Sequence, residues 1–227
     1  MAVVHRTELK PSKLELLTAW LPSRPWYRGG GAPELAKAGG FRLDDPEGEV
    51  GIEFMAVTDA SGTLPVTYLV PLTYRGAPLD GAEHALVGTM EHGTLGRRWV
   101  HDGCHDPVLV AQLTALIEGR VQAQDQNTSD TPDREVTRSR SGDGGALPAF
   151  TARATDDPEG TELRAPAGTA LRLRRVLSPA PAGAPLPPPG AAGHVAGSWR
   201  LPDGTRARGL FVVLHEDPRA RTADSEE

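Results

Sequence analysis

Two apolar runs decide the fold expected for this chain: Val50-Gly51-Ile52-Glu53-Phe54-Met55-Ala56-Val57 and Val66-Thr67-Tyr68-Leu69-Val70-Pro71-Leu72-Thr73-Tyr74. Both runs have the length of a strand and are rich in β-branched and aromatic residues. The turn-forming residues 59–62 lie between them, so the pair predicts an antiparallel β-hairpin. Pro71 has no backbone donor, which indicates a sheet edge or a strand end at that position.

Two helices are predicted on either side of this hairpin. Leu14, Leu17 and Leu21 recur at helical spacing after Ser12, a residue type favoured at the N-cap. The dipeptide Asp106-Pro107 opens a second, clearer helix that is expected to run to about Val121, because Asp at the N-cap and Pro at the first position are typical of a helix start. The expected fold class is therefore α+β, with a mainly antiparallel sheet packed on this long helix.

Composition changes along the second half of the chain. Residues 125–149 are polar and almost without apolar side chains, which predicts a flexible linker. Strand patterns return at 170–177 and around the turn Pro202-Asp203-Gly204. We therefore divide the chain into an N-terminal domain (1–124), the linker (125–149), a β-rich segment (150–216) and a disordered tail (217–227). The C-terminal strands either complete the first sheet or form a small second one.

Composition and charge exclude several classes of function. The formal net charge of −6 disfavours general binding to nucleic acid or to an anionic membrane surface. No apolar run approaches the ~20 residues of a membrane span, and the first residues lack the pattern of a signal peptide. The single cysteine, Cys104, excludes an intramolecular disulfide and any metal site built on several cysteines. A cytoplasmic protein without a structural metal is expected.

The richest polar cluster is His101-Asp102-Gly103-Cys104-His105-Asp106. Asp106 is expected to cap the second helix while His105 and Cys104 pack nearby. The alternative is a zinc site or a catalytic site that uses His101, Cys104 and His105. No catalytic, cofactor-binding or metal residue is assigned, because Gly29-Gly30-Gly31 lacks the other residues of a phosphate loop and no kinase Asp–Asn pair is found.

A set of aromatic residues gives the candidate binding surface. Aromatic faces stack on sugar rings, although such residues more often belong to the core. With one neighbouring arginine, the candidate surface comprises Trp20, Trp26, Tyr27, Arg28 and Trp99. Other arginines are interpreted as solvated strand faces, namely Arg97, Arg98, Arg172, Arg174 and Arg175.

Three segments resemble the maltokinase N-terminal cap domain, in the same order as in that family. The first, residues 16–27, has the form L-L-x-x-W-L-P-x-x-P-W-Y, close to the opening of the cap; the second, residues 68–75, contains Y-x-x-P-L-x-x-R; the third, residues 99–107, contains V-x-D-x-x-x-D-P. The resemblance covers roughly the first 120 residues. It is closest to stand-alone cap-like proteins of actinobacteria, often labelled glucan-branching proteins, although a branching-enzyme barrel alone needs ~250 residues.

The resemblance implies a cystatin-like cap, in which a helix lies against a curved antiparallel sheet. In maltokinases the cap sits on a kinase body that phosphorylates maltose, and the ATP and sugar residues belong to that body, so none is carried over. The resemblance thus implies a non-catalytic accessory or regulatory module linked to α-glucan, glycogen, maltose or trehalose metabolism, with a kinase, another glucan-metabolism protein or a glucan as partner. The alternatives are a subunit of a split sugar kinase and a small metal-dependent enzyme. A cofactor is not expected.

Overall fold

The computed structural model describes residues 9–141, 145–181 and 187–216. These residues form two α-helices, α1 (Lys13–Trp20) and α2 (Pro107–Glu118), and thirteen strands in one antiparallel sheet. The strands are β1 (Leu9–Lys10), β2 (Leu35–Leu43), β3 (Gly51–Asp59), β4 (Val66–Arg75), β5 (Leu86–His92), β6 (Gly96–Asp102), β7 (Thr137–Arg140), β8 (Ala154–Asp157), β9 (Gly160–Arg164), β10 (Ala170–Leu173), β11 (Val176–Leu177), β12 (Ala191–Arg200) and β13 (Arg206–His215).

The predicted hairpin is confirmed as β3 and β4, which pair from Gly51–Tyr74 to Asp59–Val66. Its strands are apolar without a break because both faces of this part of the sheet are buried. On one face Met55 and Val57 pack with residues of α1. On the other face Phe54 and Ala56 pack with residues of α2 and of the C-terminal strands. Successive side chains of a strand point to opposite faces, so one continuous apolar run supplies two cores.

The sheet consists of two halves, and the two strands where they adjoin share few backbone residue pairs. The strand order is β1-β5-β6-β4-β3-β2-β12-β13-β10-β9-β8, so strands β1–β6 lie on one side and β8–β10 with β12 and β13 on the other. Where the halves adjoin, β2 and β12 share a single residue pair, Gly39–Trp199. Packing reinforces this contact, because the rings of Phe41 and Phe211 stack with centroids 6.1 Å apart. The two halves thus share one hydrophobic core that also contains α2.

A second connection between the halves lies at the edge of β4. Residues 67 and 68 pair with β11, whereas residues 72–75 pair with β6. Pro71 lies between these two stretches, at the position where the edge of β4 changes its partner. A residue without a backbone donor is tolerated there because no ladder bond has to be made. Pro71 therefore marks a change of neighbour within a central strand rather than a free edge of the sheet.

Both helix starts are confirmed. Ser12 forms a capping box with Glu15 at the start of α1, and the Asp106 side chain accepts from the Val108 N–H at the start of α2. The second helix is shorter than expected, because Gly119 adopts a left-handed conformation (φ 79°) and ends it after Glu118. Val121 follows Ile117 at helical spacing, but beyond a left-handed glycine the chain has left the helix.

The predicted fold class is wrong. The structure is mostly a large antiparallel sheet with two short helices, not a sheet packed on a long helix, and the cystatin-like topology is not supported. The physical reason lies in strands with weak sequence signals. Strand β2 contains Gly39-Gly40 and a register shift, and β8 and β9 are short and largely polar. Such segments lack an apolar alternation of their own, and their pairing is decided by distant partners.

The division into domains stays a prediction. The structure shows which strands the predicted linker and the C-terminal segment contain. The segment 125–149 contains β7, which pairs with Gly193–Ala196 of β12. The segment 150–216 contributes its strands to the same sheet as the N-terminal strands. Residues 142–144 and the predicted tail 217–227 lie outside the described residues. Within the described part of the chain, neither helix has both the length and the apolar character that crossing a membrane requires.

One buried ion pair joins the end of β6 to the approach to β11. The Arg175 guanidinium donates to Asp102 at 2.5 Å and to the Thr161 hydroxyl at 2.6 Å, and it lies over the ring of Trp26, 4.9 Å from the centroid. Arg175 and Asp102 are 0 % and 2 % exposed. Burial acts to raise the pKa of the Asp102 carboxyl, but the charge and hydrogen bond of Arg175 outweigh it, so this pKa lies below its usual range.

We expect Arg175→Met to lower the free energy of unfolding by about 3–5 kcal/mol, because it leaves the Asp102 carboxylate buried without its cation. Adding Asp102→Asn removes that charge and keeps an acceptor for the Cys104 N–H, so the double variant should recover a large part of the loss. Urea denaturation at pH 7 measures both values, and Arg174→Met is the matched control, with an expected change within about 0.5 kcal/mol. A double variant no more stable than Arg175→Met would contradict the role of this pair.

Candidate functional site

Two residues of the predicted aromatic surface lie in the core. Trp20 is 7 % exposed and Trp26 is 0 % exposed. Their ring centroids are 5.8 Å apart, and Trp26 lies at the same distance from Tyr68 of β4. Helix α1 and the turn after it bring these rings onto the sheet, where they fill the space between helix and strands. Buried rings of this kind stabilise the fold and leave no face for a sugar.

Of the other three members of that surface, two lie near the buried tryptophans and one does not. Tyr27 is half-buried, and its hydroxyl donates to Asp59 at 2.8 Å; burial and this hydrogen bond raise the pKa of Tyr27 to about 12. Arg28 is exposed, and its guanidinium lies 4.0 Å from Glu159 in the C-terminal half. Trp99 lies on β6, where it alternates with Val100 of the α1 core and so points to the opposite face of the sheet. The structure thus brings together Trp20, Trp26, Tyr27 and Arg28 but not Trp99.

In the cluster 101–106, both carboxylates form ion pairs. Asp106 is 0 % exposed and accepts two hydrogen bonds from Arg75, each 2.7 Å long, in addition to capping α2. Burial acts to raise the pKa of Asp106, but the hydrogen bonds and charge of Arg75 keep it below its usual range. Asp102 caps the turn that follows it by accepting from the Cys104 N–H and pairs with Arg175. These carboxylates are held ionised by arginines.

The Cys104 thiol is buried beside the same arginine, with 3.3 Å between its sulfur and the Arg175 guanidinium. Burial raises the pKa of Cys104 well above its usual range, and the charge of Arg175 offsets this only in part. A thiol that remains protonated and inaccessible is a poor nucleophile and a poor metal ligand. Cys104 is therefore placed as a small core residue.

The two histidines of the cluster point to different places. His101 is 1 % exposed, and its Nδ1 has no hydrogen-bond partner among the described residues. His105 is half-buried and pairs with His84, whose Nε2 lies 3.1 Å from the His105 Nδ1. Burial lowers the pKa of both His101 and His105. Within the described residues, no group of three or more His, Cys, Asp and Glu side chains is arranged to hold a metal ion.

A cavity of about 360 Å³ lies elsewhere, on the α1 face of the N-terminal half. Helix α1 starts at Lys13 and covers the apolar positions Met55 and Leu72. Two residues further along the same strands, on the same face, β3 carries Glu53 and β4 carries Tyr74. The sheet face becomes polar where the helix no longer covers it. The lining residues are Leu9, Lys13, Arg42, Asp45, Gly48, Glu49, Val50, Gly51, Ile52, Glu53, Tyr74, Met90, His92, Leu95, Arg98 and Gln126.

Glu53 is the central polar group of this cavity and is 4 % exposed. Its carboxylate forms an ion pair with Lys13, accepts from the Tyr74 hydroxyl at 2.7 Å and accepts from the Gln126 amide at 3.2 Å. Burial acts to raise the pKa of Glu53, but Lys13 and the Tyr74 hydrogen bond keep it below its usual range. The pKa of Tyr74 is raised well above its usual range by burial and by the Glu53 charge. Glu53 is therefore ionised and Tyr74 is neutral near neutral pH.

Sequence reasoning missed this cavity and its central residues. One signal was present, because Glu53 is a charged residue inside an otherwise apolar strand, where a buried carboxylate requires partners. The partners themselves had no such signal. Lys13 opens a helix, Tyr74 ends a strand, and Gln126 lies in the segment predicted as a linker. Only the fold brings these three residues to one carboxylate.

The comparison with protein families agrees with the resemblance seen in the sequence. Residues 20–106 match the maltokinase N-terminal cap domain. The chain therefore contains a stretch similar to that cap domain, which runs from the end of α1 to the N-cap of α2. No curated protein matches the chain. The Glu53 cavity is lined mainly by residues of the matched stretch, with Leu9, Lys13 and Gln126 added from outside it.

We expect Asp106→Ser to retain only the part of the stabilisation that comes from capping. Serine can accept from the Val108 N–H, worth ~1 kcal/mol relative to alanine, but it cannot pair with Arg75, whose charged hydrogen bonds are worth about 1.5–3 kcal/mol. Stability should decrease from Asp through Ser to Ala. In an Arg75→Met background the difference between Asp and Ser should shrink, as a double-mutant cycle by urea denaturation measures. An equal stability difference between Asp and Ser in both backgrounds would show that Asp106 stabilises the fold through capping alone.

Stability should fall as the pH is lowered from 7 to 5. The folded-state pKa values of His101 and His105 lie below the ordinary value, so the unfolded chain takes up protons near pH 6.5 that the folded chain does not bind. Their favourable contribution is present above that pH and is lost as the pH decreases towards the folded pKa. Urea midpoints at several pH values measure the slope, which His105→Gln should reduce. An unchanged slope in that variant would contradict the assignment to His105.

Proposed function

We propose that the protein is a non-catalytic accessory module of α-glucan metabolism that acts by binding another protein. The observation that carries this proposal is the match of residues 20–106 to the maltokinase N-terminal cap domain. The structure formed by the residues after this stretch supports it. From Asp106 onward, the described residues form α2 and the strands β7–β13, which extend the sheet of the cap and share a hydrophobic core with it. The second half of the chain thus completes a cap-like body.

The chemistry of the polar cluster supports an accessory role. The groups that would serve as nucleophile or acid–base pair are used for structure, since Asp102 and Asp106 pair with arginines and Cys104 stays a buried thiol. General acid–base catalysis needs a group whose pKa is poised near the working pH and that reaches a substrate. Neither carboxylate has those properties. No specific observation favours the metal-dependent enzyme.

The partner we propose is a kinase body of the maltokinase type or another protein that processes α-glucan, maltose, trehalose or glycogen in the cytoplasm. The support is the role of the cap in the family, where it lies on such a body. A split kinase, with the catalytic lobes on a separate chain, is one form of this proposal. The exposed Arg28 beside the half-buried Tyr27 is one part of the surface that such a partner could contact.

We expect the purified chain to form no sugar phosphate when incubated with labelled ATP, magnesium and maltose. An affinity-tagged chain expressed in its native cell should retain a sugar kinase or an α-glucan enzyme through cross-linking and washing, identified by mass spectrometry. Tag alone and the Arg175→Met variant, which is expected to fold poorly, are the controls. Sugar phosphate above a heat-killed control that persists through further purification would overturn the non-catalytic role. Reproducible capture of proteins outside carbohydrate metabolism would overturn the choice of partner.

A further inference from the structure

We infer that the cavity around Glu53 is a binding site for a neutral, polyhydroxylated ligand of one or two sugar rings. The cavity holds about 360 Å³, the share of about a dozen water molecules at ~30 Å³ each. Cavities of small-molecule sites span about 300–1,000 Å³, so this one suits a small ligand. The inference deepens the proposed function, on which the choice of sugar probes rests.

The charge of the cavity argues for a neutral ligand. Three cationic and three acidic side chains line it, namely Lys13, Arg42, Arg98, Asp45, Glu49 and Glu53. The two buried carboxylates are already engaged. Asp45 accepts from the backbone N–H groups of residues 47, 49 and 50, and Glu53 binds three side chains. Because these carboxylates are satisfied and the total charge balances, neither a metal cation nor a strongly charged anion is favoured.

The remaining polar atoms include both donors and acceptors. Arg98 lines the cavity, and among the described residues its guanidinium donates one hydrogen bond, to the Leu95 carbonyl. Lys13 carries three donors, of which the described contacts use one, on Glu53. The amide oxygen of Gln126 and the exposed carboxylate of Glu49 provide acceptors at the same cavity. A hydroxyl group donates one hydrogen bond and accepts others, so a ligand with several hydroxyls can satisfy both kinds of atom at once.

Apolar side chains supply the other requirement of sugar binding. Leu9, Met90 and Leu95 line the cavity from β1 and from the β5–β6 hairpin. A sugar ring presents C–H groups on its faces and hydroxyls around its edge. A cavity that combines an apolar wall with a central group of fixed polar atoms matches that distribution, as small-molecule sites commonly do.

Isothermal titration calorimetry of the full chain with glucose, maltose and inorganic phosphate tests this inference. We expect maltose or glucose to bind with a Kd at or below about 1 mM. Arg98→Met should weaken the binding about tenfold or more, because it removes a charged donor from the cavity lining. The neighbouring Arg97→Met is the matched control, since Arg97 is exposed and pairs with Glu91 outside the cavity; its Kd should be unchanged.

A second pair of variants keeps the test decisive if Arg98→Met does not fold, as thermal unfolding would reveal. Gln126→Ala should weaken sugar binding, whereas Gln122→Ala should not, because Gln122 is exposed and lies outside the cavity. Absence of binding by both sugars, binding of phosphate alone, or equal affinity in cavity and control variants would overturn the inference. The titration uses the isolated chain, so it can fail while a protein partner is captured, and it can succeed while none is.

Discussion

The buried pair Arg175–Asp102 joins parts of the chain that are far apart in sequence. Arg175 reaches Asp102 at the end of β6, Thr161 in β9 and the ring of Trp26 after α1. An isolated charge in such a place would cost several kcal/mol in lost hydration, and each partner is stable there only because the other is present. The Arg175 carbonyl also accepts from the Leu69 N–H in β4. One residue thus positions the N-terminal half, the C-terminal half and the strand β11 that connects them.

The rest of the architecture follows from the need to cover both faces of the central hairpin. Strand β3 is apolar on both sides, so one layer of helix cannot bury it. Helix α1 covers one face, and α2 with the C-terminal strands covers the other. The cap-like stretch therefore leaves apolar surface that the second half of the chain has to cover. The ion pair, the β11–β4 pairing and the aromatic stack at Phe41 fix how it does so.

Elements with a local cause were predictable from the sequence, and elements that depend on distant residues were not. The β3–β4 hairpin and the starts of both helices follow from nearby residue types, such as Ser12 and Asp106 with their caps. Arg175 was interpreted as a solvated residue because it belongs to a group of arginines with Arg172 and Arg174. Its complete burial depends on a carboxylate 73 positions earlier. The cavity escaped prediction for the same reason, since Glu53 carried a signal but its partners did not.

The distance along the chain between Asp102 and Arg175 also has a consequence for synthesis. The matched stretch leaves the ribosome complete about 70 residues before its basic partner is made. At 5–20 residues per second, this delay is on the order of 4–15 s. During that time the core between α1 and the sheet can form. The other face of β3 is still uncovered, and the edge of β4 that pairs with β11 is still unpaired. The nascent protein therefore passes through a stage in which Asp102 has no cationic partner and apolar surface is exposed. Such a surface is what a chaperone binds.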